Sequence, residues 1–334
     1  MNSHTRILVY LAAVICLLPG AGCKNPQTRA FSTPKFQTAI LLPHTPQKNQ
    51  GEWPAGWIYA TLALIESERI SAGDSLELSE TFLIRKYLEE NADSHPNDTS
   101  FSGNPFSCLR LLERQGLITY QCYRSQPTIN WTDFRRLANK SNLQIVCDTG
   151  FAYLPKTIGL YGVSYTPHDL MESLFVQNNY IGFISDASLP LGQQVECMFP
   201  GDRQEETYFN LSQASLLRII EQSLHKGHTL VWMGDTTETC YSGNAGYAYW
   251  PADSDNSQQA RMQELSDKKT TPDHCMQIIG KTYIVNDPYE KNAKRGSTYY
   301  ICKNSAGSNS ANNGLFYLSA DYIKMKTVAL YRHR

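Results

Sequence analysis

The spacing of apolar residues changes along this sequence, and the change limits the folds open to it. After Gln50 the apolar residues recur at helical spacing, as in Trp57, Ala60 and Leu64. The residue types that begin helices stand at Ser79, Pro105, Thr166 and Ser212. From about residue 226 the chain holds short β-rich runs, at 229–233, 276–279, 282–285, 298–302, 315–318 and 327–331. A helix-rich front and a strand-rich back predict an α+β fold of two lobes, with the polar stretch 239–270 as a long surface excursion.

Composition supports a folded, globular protein and excludes several classes of function. Apolar residues make up 41% of the chain, enough for a sizeable core, while the net charge is −1. Near neutrality removes the general electrostatic reason to bind nucleic acid. No phosphate loop or calcium loop occurs. The nine cysteines show no Cys-x-x-Cys pair and no histidine pair nearby, so we expect no metal site and no cofactor.

Residues 1–22 are predicted to be an export signal of the lipoprotein type. Arg6 precedes an apolar run from Ile7 to Leu18, whose 12 residues are too few to span a bilayer comfortably. Small residues then lead to Cys23, whose thiol would be acylated and would anchor the chain to a membrane. Ordinary secretion with cleavage nearby is the alternative. We therefore expect an exported bacterial protein, anchored in the periplasm or at the cell surface.

Three segments carry residues with the potential for nucleophilic catalysis. They are 50–60 (QGEWPAGWIYA), 271–280 (TPDHCMQIIG) and 299–307 (YYICKNSAG). In this order they resemble the papain superfamily of cysteine peptidases, and most closely its bleomycin hydrolase and bacterial aminopeptidase C branch. The resemblance extends from Gln50 to the end of the chain. It implies a papain-like fold, with a helical lobe at about 50–225, an antiparallel β-barrel-like lobe at about 226–334 and a cleft between them. Residues 23–49 are then a tether and extended arm.

The resemblance assigns a role to each matching residue. Gln50 matches the amide that donates to the oxyanion, His274 the general acid and base, and Asn304 the residue that orients the imidazole. Trp57 and Asp273 adjoin these positions and are expected to take part in substrate binding. In the family a thiolate at a helix N-terminus is stabilised by the helix dipole and by the imidazolium beside it.

The nucleophile position of the family is Gly56 in this chain, which has no side chain to attack a carbonyl. The tryptophan that follows Asn-Ser in the family is Ala306 here, and the position of a cleft-side disulfide is Trp53. Loss of a triad nucleophile typically lowers turnover by about 10⁶. Cys275 adjoins His274, but neighbours on a strand point to opposite faces, so its thiol is expected in the core.

The expected function is that of an inactive peptidase homologue that retains a cleft for a peptide or protein ligand. One alternative is an active cysteine-type aminopeptidase or peptidase that carries out proteolysis. Another is a structural surface lipoprotein that uses the fold only as a scaffold. The membrane, through lipid on Cys23, is the second expected partner, and nucleic acid is not one. Histidines outside the motif, His228 and His333 among them, are expected to be solvated.

Overall fold

A computed structural model describes residues 34–94, 101–124, 126–138, 143–160, 162–174, 179–200, 202–286 and 296–334. The predicted signal segment 1–22 and the predicted lipidation site Cys23 lie outside these residues. Within them, no helix combines the length and the apolar character needed to cross a membrane.

Five of the helices that the structure describes, those beginning at Gly56, Glu80, Pro105, Pro167 and Gln213, start close to the predicted positions, and the other four were not predicted. The described helices are α1 (Gly56–Ser71), α2 (Glu80–Ser94), α3 (Pro105–Gln115), α4 (Trp131–Ala138), α5 (Leu143–Gly150), α6 (Pro167–Leu174), α7 (Gln213–His225), α8 (Gln258–Ser266) and α9 (Ala320–Lys326). Asn104 caps α3 by accepting from the Ser107 N–H at 3.0 Å. Every residue of α1 from Gly56 to Ser67 is buried, so α1 is a central helix enclosed on all sides.

Most of the described strands belong to one large sheet. The strands are β1 (Lys35–Leu41), β2 (Ile158–Leu160), β3 (Val163–Tyr165), β4 (Tyr180–Ile184), β5 (Gln193–Cys197), β6 (Glu206–Asn210), β7 (Leu230–Gly234), β8 (Tyr241–Ser242), β9 (Tyr247–Ala248), β10 (His274–Asn286), β11 (Thr298–Lys303), β12 (Leu315–Ser319) and β13 (Thr327–His333). The sheet order is β5-β6-β4-β13-β7-β10-β11-β12-β9-β8, β1 also pairs with β10, and β2 and β3 form a separate hairpin. Helices packed on such a sheet confirm the predicted α+β class.

The sheet separates two hydrophobic cores. Along β7, Val231 and Met233 join the core that contains α1, α2 and α3. Their neighbours Leu230 and Trp232 join a second core with α7. This alternation follows from the period of two in a strand. The buried side chain of Gln277 in β10 ties the sheet to α1, because its amide donates to the Ala63 carbonyl at 2.9 Å.

The predicted runs 276–279 and 282–285 form one strand, β10, rather than two. A register shift between Ile278 and Gly280 lets β10 continue past this point as one strand. The second half of β10 also pairs with β1. A Cβ at Gly280 would lie 2.3 Å from the Ile40 carbonyl oxygen, so only glycine fits this close approach. The break expected from the sequence is therefore a β-bulge.

Three further segments differ from the sequence-based expectation. The predicted surface excursion 239–270 contains β8, β9 and α8, and its Arg261 is buried, donating to the carbonyls of Lys324 and Met325. The part predicted as the helical lobe also supplies β4, β5 and β6 to the sheet. The predicted arm contains β1, which is extended but is part of the sheet. In each case the structure depends on strand pairing or on a buried charge, and the local spacing of apolar residues does not reveal either of them.

Candidate active site

Gly56 opens α1, and its missing side chain faces an imidazole. A Cβ built on Gly56 would lie 3.0 Å from both Nδ1 and Cε1 of His274 and 3.4 Å from Oε1 of Gln50. The first N–H groups of a helix have no partner within the helix, so they point toward this space with the positive end of the helix dipole. The structure therefore brings together three of the residues that the resemblance singled out.

His274 begins β10 and is held in one orientation by Asn304. Its Nε2 donates to Asn304 Oδ1 at 2.7 Å, which leaves Nδ1 as the nitrogen directed at Gly56. Asn304 Oδ1 also accepts from the Ser305 N–H at 2.8 Å. Because the Ser305 N–H can only donate, it fixes Oδ1 of Asn304 as the acceptor. The His274 nitrogen that faces Oδ1 must then carry the proton, which sets the imidazole tautomer. This is the arrangement that a base acting on position 56 needs.

Gln50 lies beside Gly56, but the oxygen of its side-chain amide, rather than the nitrogen, faces Gly56. Nε2 donates to the Trp53 carbonyl at 2.8 Å, and Oε1 accepts from the Ser305 hydroxyl. Oε1 is also the Gln50 atom nearest to the position of a Cβ on Gly56, at 3.4 Å. The oxyanion role predicted for Gln50 needs an N–H at that point, so it requires a rotation of the amide.

Comparisons with known proteins agree with this arrangement of elements. The chain is similar to the structure of PepW from Lactobacillus rhamnosis, with a TM-score of 0.63 and 15% identity, over 89% of this chain and 82% of that one. It is also similar to xylellain, a cysteine protease from Xylella fastidiosa, with a TM-score of 0.51 and 14% identity, over 91% of this chain and 90% of that one. This protein has a papain-like fold. No protein-family model and no curated protein matches it.

The papain-like fold holds a cleft of about 250 Å³ at this site. Gln50, Gly56, Trp57, Asp273 and His274 all line it, as the sequence predicted for a shared site. Trp57 is only 4% exposed, so its indole forms the floor of the cleft rather than a projecting contact. Asp273 is exposed at the edge.

One wall of the cleft was not foreseen from the sequence. It is built by Ser102, Gly103 and Asn104 together with Phe199 and Asp202. Asn104 Nδ2 donates to Asp202 Oδ1 at 2.6 Å, and Asp202 Oδ2 accepts from the Phe199 N–H at 2.9 Å. A Cβ on Gly103 would lie 3.1 Å from the indole of Trp57, so glycine lets this wall approach the floor. The pairing of Asn104 with a residue 98 positions later leaves no local signal.

Trp53 occupies the position where the family resemblance implies a disulfide, and it is held by aromatic packing instead. Its ring lies 5.2 to 6.0 Å from those of Trp131, Phe134, Phe151 and Phe101. Tilted and edge-on ring pairs of this kind contribute about 0.5–1.5 kcal/mol each beyond burial. The cluster therefore fixes the loop that carries Gln50 toward α1 without a covalent link.

Cys275 does not offer a replacement nucleophile. It is 4% exposed and belongs to the core that includes α1. Burial raises the pKa of its thiol well above the ordinary value, so little thiolate forms at neutral pH. The predicted inward direction of Cys275 is confirmed. Cys302, two residues before Asn304, is fully buried in the second core.

At pH 7 we expect the His274 imidazole to be neutral. Burial lowers its pKa below the ordinary value of about 6.5, while the hydrogen bond to Asn304 and the charge of Asp273 act in the opposite direction. Asn304→Ala should therefore lower this pKa further. Because the unfolded imidazole takes up a proton at higher pH than the folded one, the group costs stability only below about pH 6.5. Titration of the ring ¹⁵N signals by NMR measures the pKa, and a value above 6.5 would contradict this reasoning.

Proposed function

We propose that this protein is an exported homologue of papain-like cysteine peptidases that has lost the nucleophile and binds peptides without cleaving them. The observation that carries the proposal is Gly56, placed where a side chain would meet Nδ1 of His274. The motifs around Gln50, His274 and Asn304 favour the bleomycin hydrolase and aminopeptidase C branch as its relatives. Without a nucleophile no acyl-enzyme forms, so the remaining base has nothing to activate except water.

The cleft supports a binding role over a purely structural one. A scaffold protein has no reason to keep an open groove beside Gly56, yet a cleft of about 250 Å³ lies there, lined by Trp57, Asn104, Asp202 and His274. The wall formed with Asn104 and Asp202 is fixed by short hydrogen bonds. Preformed walls reduce the ordering cost of binding and so favour a ligand.

An active peptidase would need another thiol, and the described cysteines nearest the site argue against it. Cys275 is buried with a raised pKa, as above, and Cys302 is fully buried. Labelling of the native protein with iodoacetamide, followed by mass spectrometry, distinguishes the two functions. We expect neither thiol to be labelled, whereas modification of Cys275 that blocks peptide hydrolysis would favour the active enzyme.

The purified protein is expected to bind short fluorescent hexapeptides while leaving them intact. Asp273→Trp places an indole at the cleft edge and should weaken binding at least tenfold, about 1.4 kcal/mol, by blocking entry. Asp253→Trp is the matched control, because Asp253 is exposed and does not line the cleft. Fluorescence anisotropy measures binding and chromatography detects cleavage.

Two results would overturn this function. Hydrolysis by the wild-type protein that disappears in His274→Ala would show an active enzyme. Absence of binding to any hexapeptide pool, with the two tryptophan variants indistinguishable from wild type, would favour the structural role.

Membrane attachment through Cys23 is proposed from the sequence alone. When the full-length chain is expressed in a bacterium supplied with a clickable palmitate, we expect label on the wild type and none on Cys23→Ser. The variant should also leave the membrane fraction. Equal labelling of both proteins, or none on the wild type, would instead favour ordinary secretion.

A further inference from the structure

A cluster of two histidines and a glutamate lies at the far end of α1 from the cleft. Glu68 is twelve residues after Gly56 on the same helix, or about 18 Å away at the rise of an α-helix. His228 precedes β7, and His333 lies at the end of β13. One ligand atom from each residue falls within 4.8 Å of the other two. The cluster is thus separate from the candidate active site.

The fold brings these three residues together from distant parts of the sequence. Arg332 of β13 stands opposite Leu230 of β7, which places His333 diagonally across from His228. The amide of Gln277 donates both to Ser67 at 2.8 Å and to Thr229 at 2.9 Å, the residues next to Glu68 and His228. The buried side chain of Gln277 therefore holds together the two backbone segments that carry Glu68 and His228.

We propose that Glu68, His228 and His333 bind one divalent transition-metal ion, with zinc as the best match. Zinc takes imidazole nitrogen and carboxylate oxygen at about 2.0–2.1 Å in a tetrahedron, so its ligand atoms lie about 3.3 Å apart. Glu68 Oε2 is 2.9 Å from His228 Nδ1 and 3.9 Å from His333 Nδ1. These separations bracket the required one, and small rotations of the side chains complete the site.

A second observation points to a cation at this place. Glu68 Oε1 is buried and has no hydrogen-bond donor in the part of the chain that the structure describes. A buried carboxylate oxygen without a donor is costly, and an ion bound by both oxygens of Glu68 satisfies Oε1 as well as Oε2. The two imidazoles keep about a third of their side-chain area exposed, so an ion can enter and the fourth position can hold water.

The surrounding groups set limits on affinity. His333 is held edge-on to the ring of Tyr180, with centroids 5.3 Å apart, which restricts its rotation. Arg332 lies close enough to Glu68 for the two charges to interact. Burial lowers the pKa of Arg332, and the negative charge of Glu68 raises it, so a positive charge lies near the proposed site. That charge repels a cation and is expected to weaken binding. A bound ion would link the end of α1 to β7 and β13.

The test titrates the purified protein, prepared without a histidine tag, with Co²⁺ alone and then displaces it with Zn²⁺. All proteins carry Cys122→Ser, because Cys122 is an exposed thiol that binds such ions. We expect a saturable visible band at one Co²⁺ per chain. Each of Glu68→Gln, His228→Gln and His333→Gln should weaken binding at least tenfold, since even the loss of an indirect partner costs 10–100-fold.

His225→Gln is the matched control, because His225 also stands 3.9 Å from a glutamate but is exposed and outside the cluster. It should bind Co²⁺ as the parent does, and Arg332→Gln should bind it more tightly. Zn²⁺ should raise the Tm of the parent and not that of the three ligand variants, whose circular dichroism checks their folding. The proposal is overturned if no saturable band forms, or if His225→Gln loses as much affinity as His228→Gln.

Discussion

Gly56→Cys, in a Cys122→Ser background that removes an exposed thiol, is expected to react with iodoacetamide at position 56 and to hydrolyse peptide amides, whereas the parent protein hydrolyses none. The new side chain would stand at the N-terminus of α1, beside Nδ1 of a His274 that Asn304 already orients. Both the helix dipole and a protonated imidazole lower a thiol pKa. Since loss of a triad nucleophile costs about 10⁶ in turnover, recovery of even a small part should raise hydrolysis by at least about 10³.

Full recovery is not expected, for two structural reasons. A Cβ at position 56 would lie 3.0 Å from the imidazole, so His274 must move by a few tenths of an ångström to admit a cysteine. Ala306 also covers less of the hydrogen bond between His274 and Asn304 than the tryptophan of the family would. The amide of Gln50 must rotate as well before its N–H reaches an oxyanion.

Gly56→Ala is the matched control for this experiment, because it adds the same Cβ without a thiol. Hydrolysis of a fluorogenic dipeptide amide should appear in Gly56→Cys, not in Gly56→Ala, and should vanish when His274→Ala is added. If the cysteine variant is folded but neither labelled at position 56 nor active, the cleft no longer has the arrangement of a peptidase. In that case the proposed descent from an active site loses its support.

The sequence identified the residues that meet at the cleft more completely than it identified the strands of the sheet. Each of these residues sits in a short local motif, and the structure places Gln50, Gly56 and His274 at one cleft. Asn304, from the third motif, is hydrogen-bonded to His274. The cleft wall at Asn104 escaped notice, since its partner Asp202 is far away in sequence. Pairing between distant strands likewise leaves little local signal, so β4, β5 and β6 were missed.

The same limit applies to groups of charges. His228 and His333 are 105 residues apart in the chain, and each alone has the sequence context of a solvated histidine. The pairing of β7 with β13 brings the two histidines close to each other and to Glu68. Local patterns therefore identify residues that act within one segment, while clusters assembled across strands need the fold.

A buried network of charges centred on Glu66 joins several elements beneath the cleft. Glu66 is 1% exposed, and its Oε1 accepts from Lys48 Nζ at 2.8 Å and from the Leu78 N–H at 2.7 Å. Its Oε2 accepts from the Thr45 hydroxyl, which in turn accepts from Lys303 Nζ at 2.6 Å. The carboxylate thus fixes the segment before Gln50 and the end of β11, which leads to Asn304.

Glu66→Gln is expected to lower the free energy of unfolding by about 3–5 kcal/mol. Removing one partner of a buried ion pair leaves the other charges undercompensated, here Lys48, which keeps its pair with Glu80, and Lys303. Asp74→Asn is the control, because its ion pair with Arg69 is about a third exposed and should contribute less than about 1 kcal/mol. Urea unfolding midpoints at constant slope measure both losses. Equal shifts in the two variants would mean that the network contributes no more than a surface ion pair.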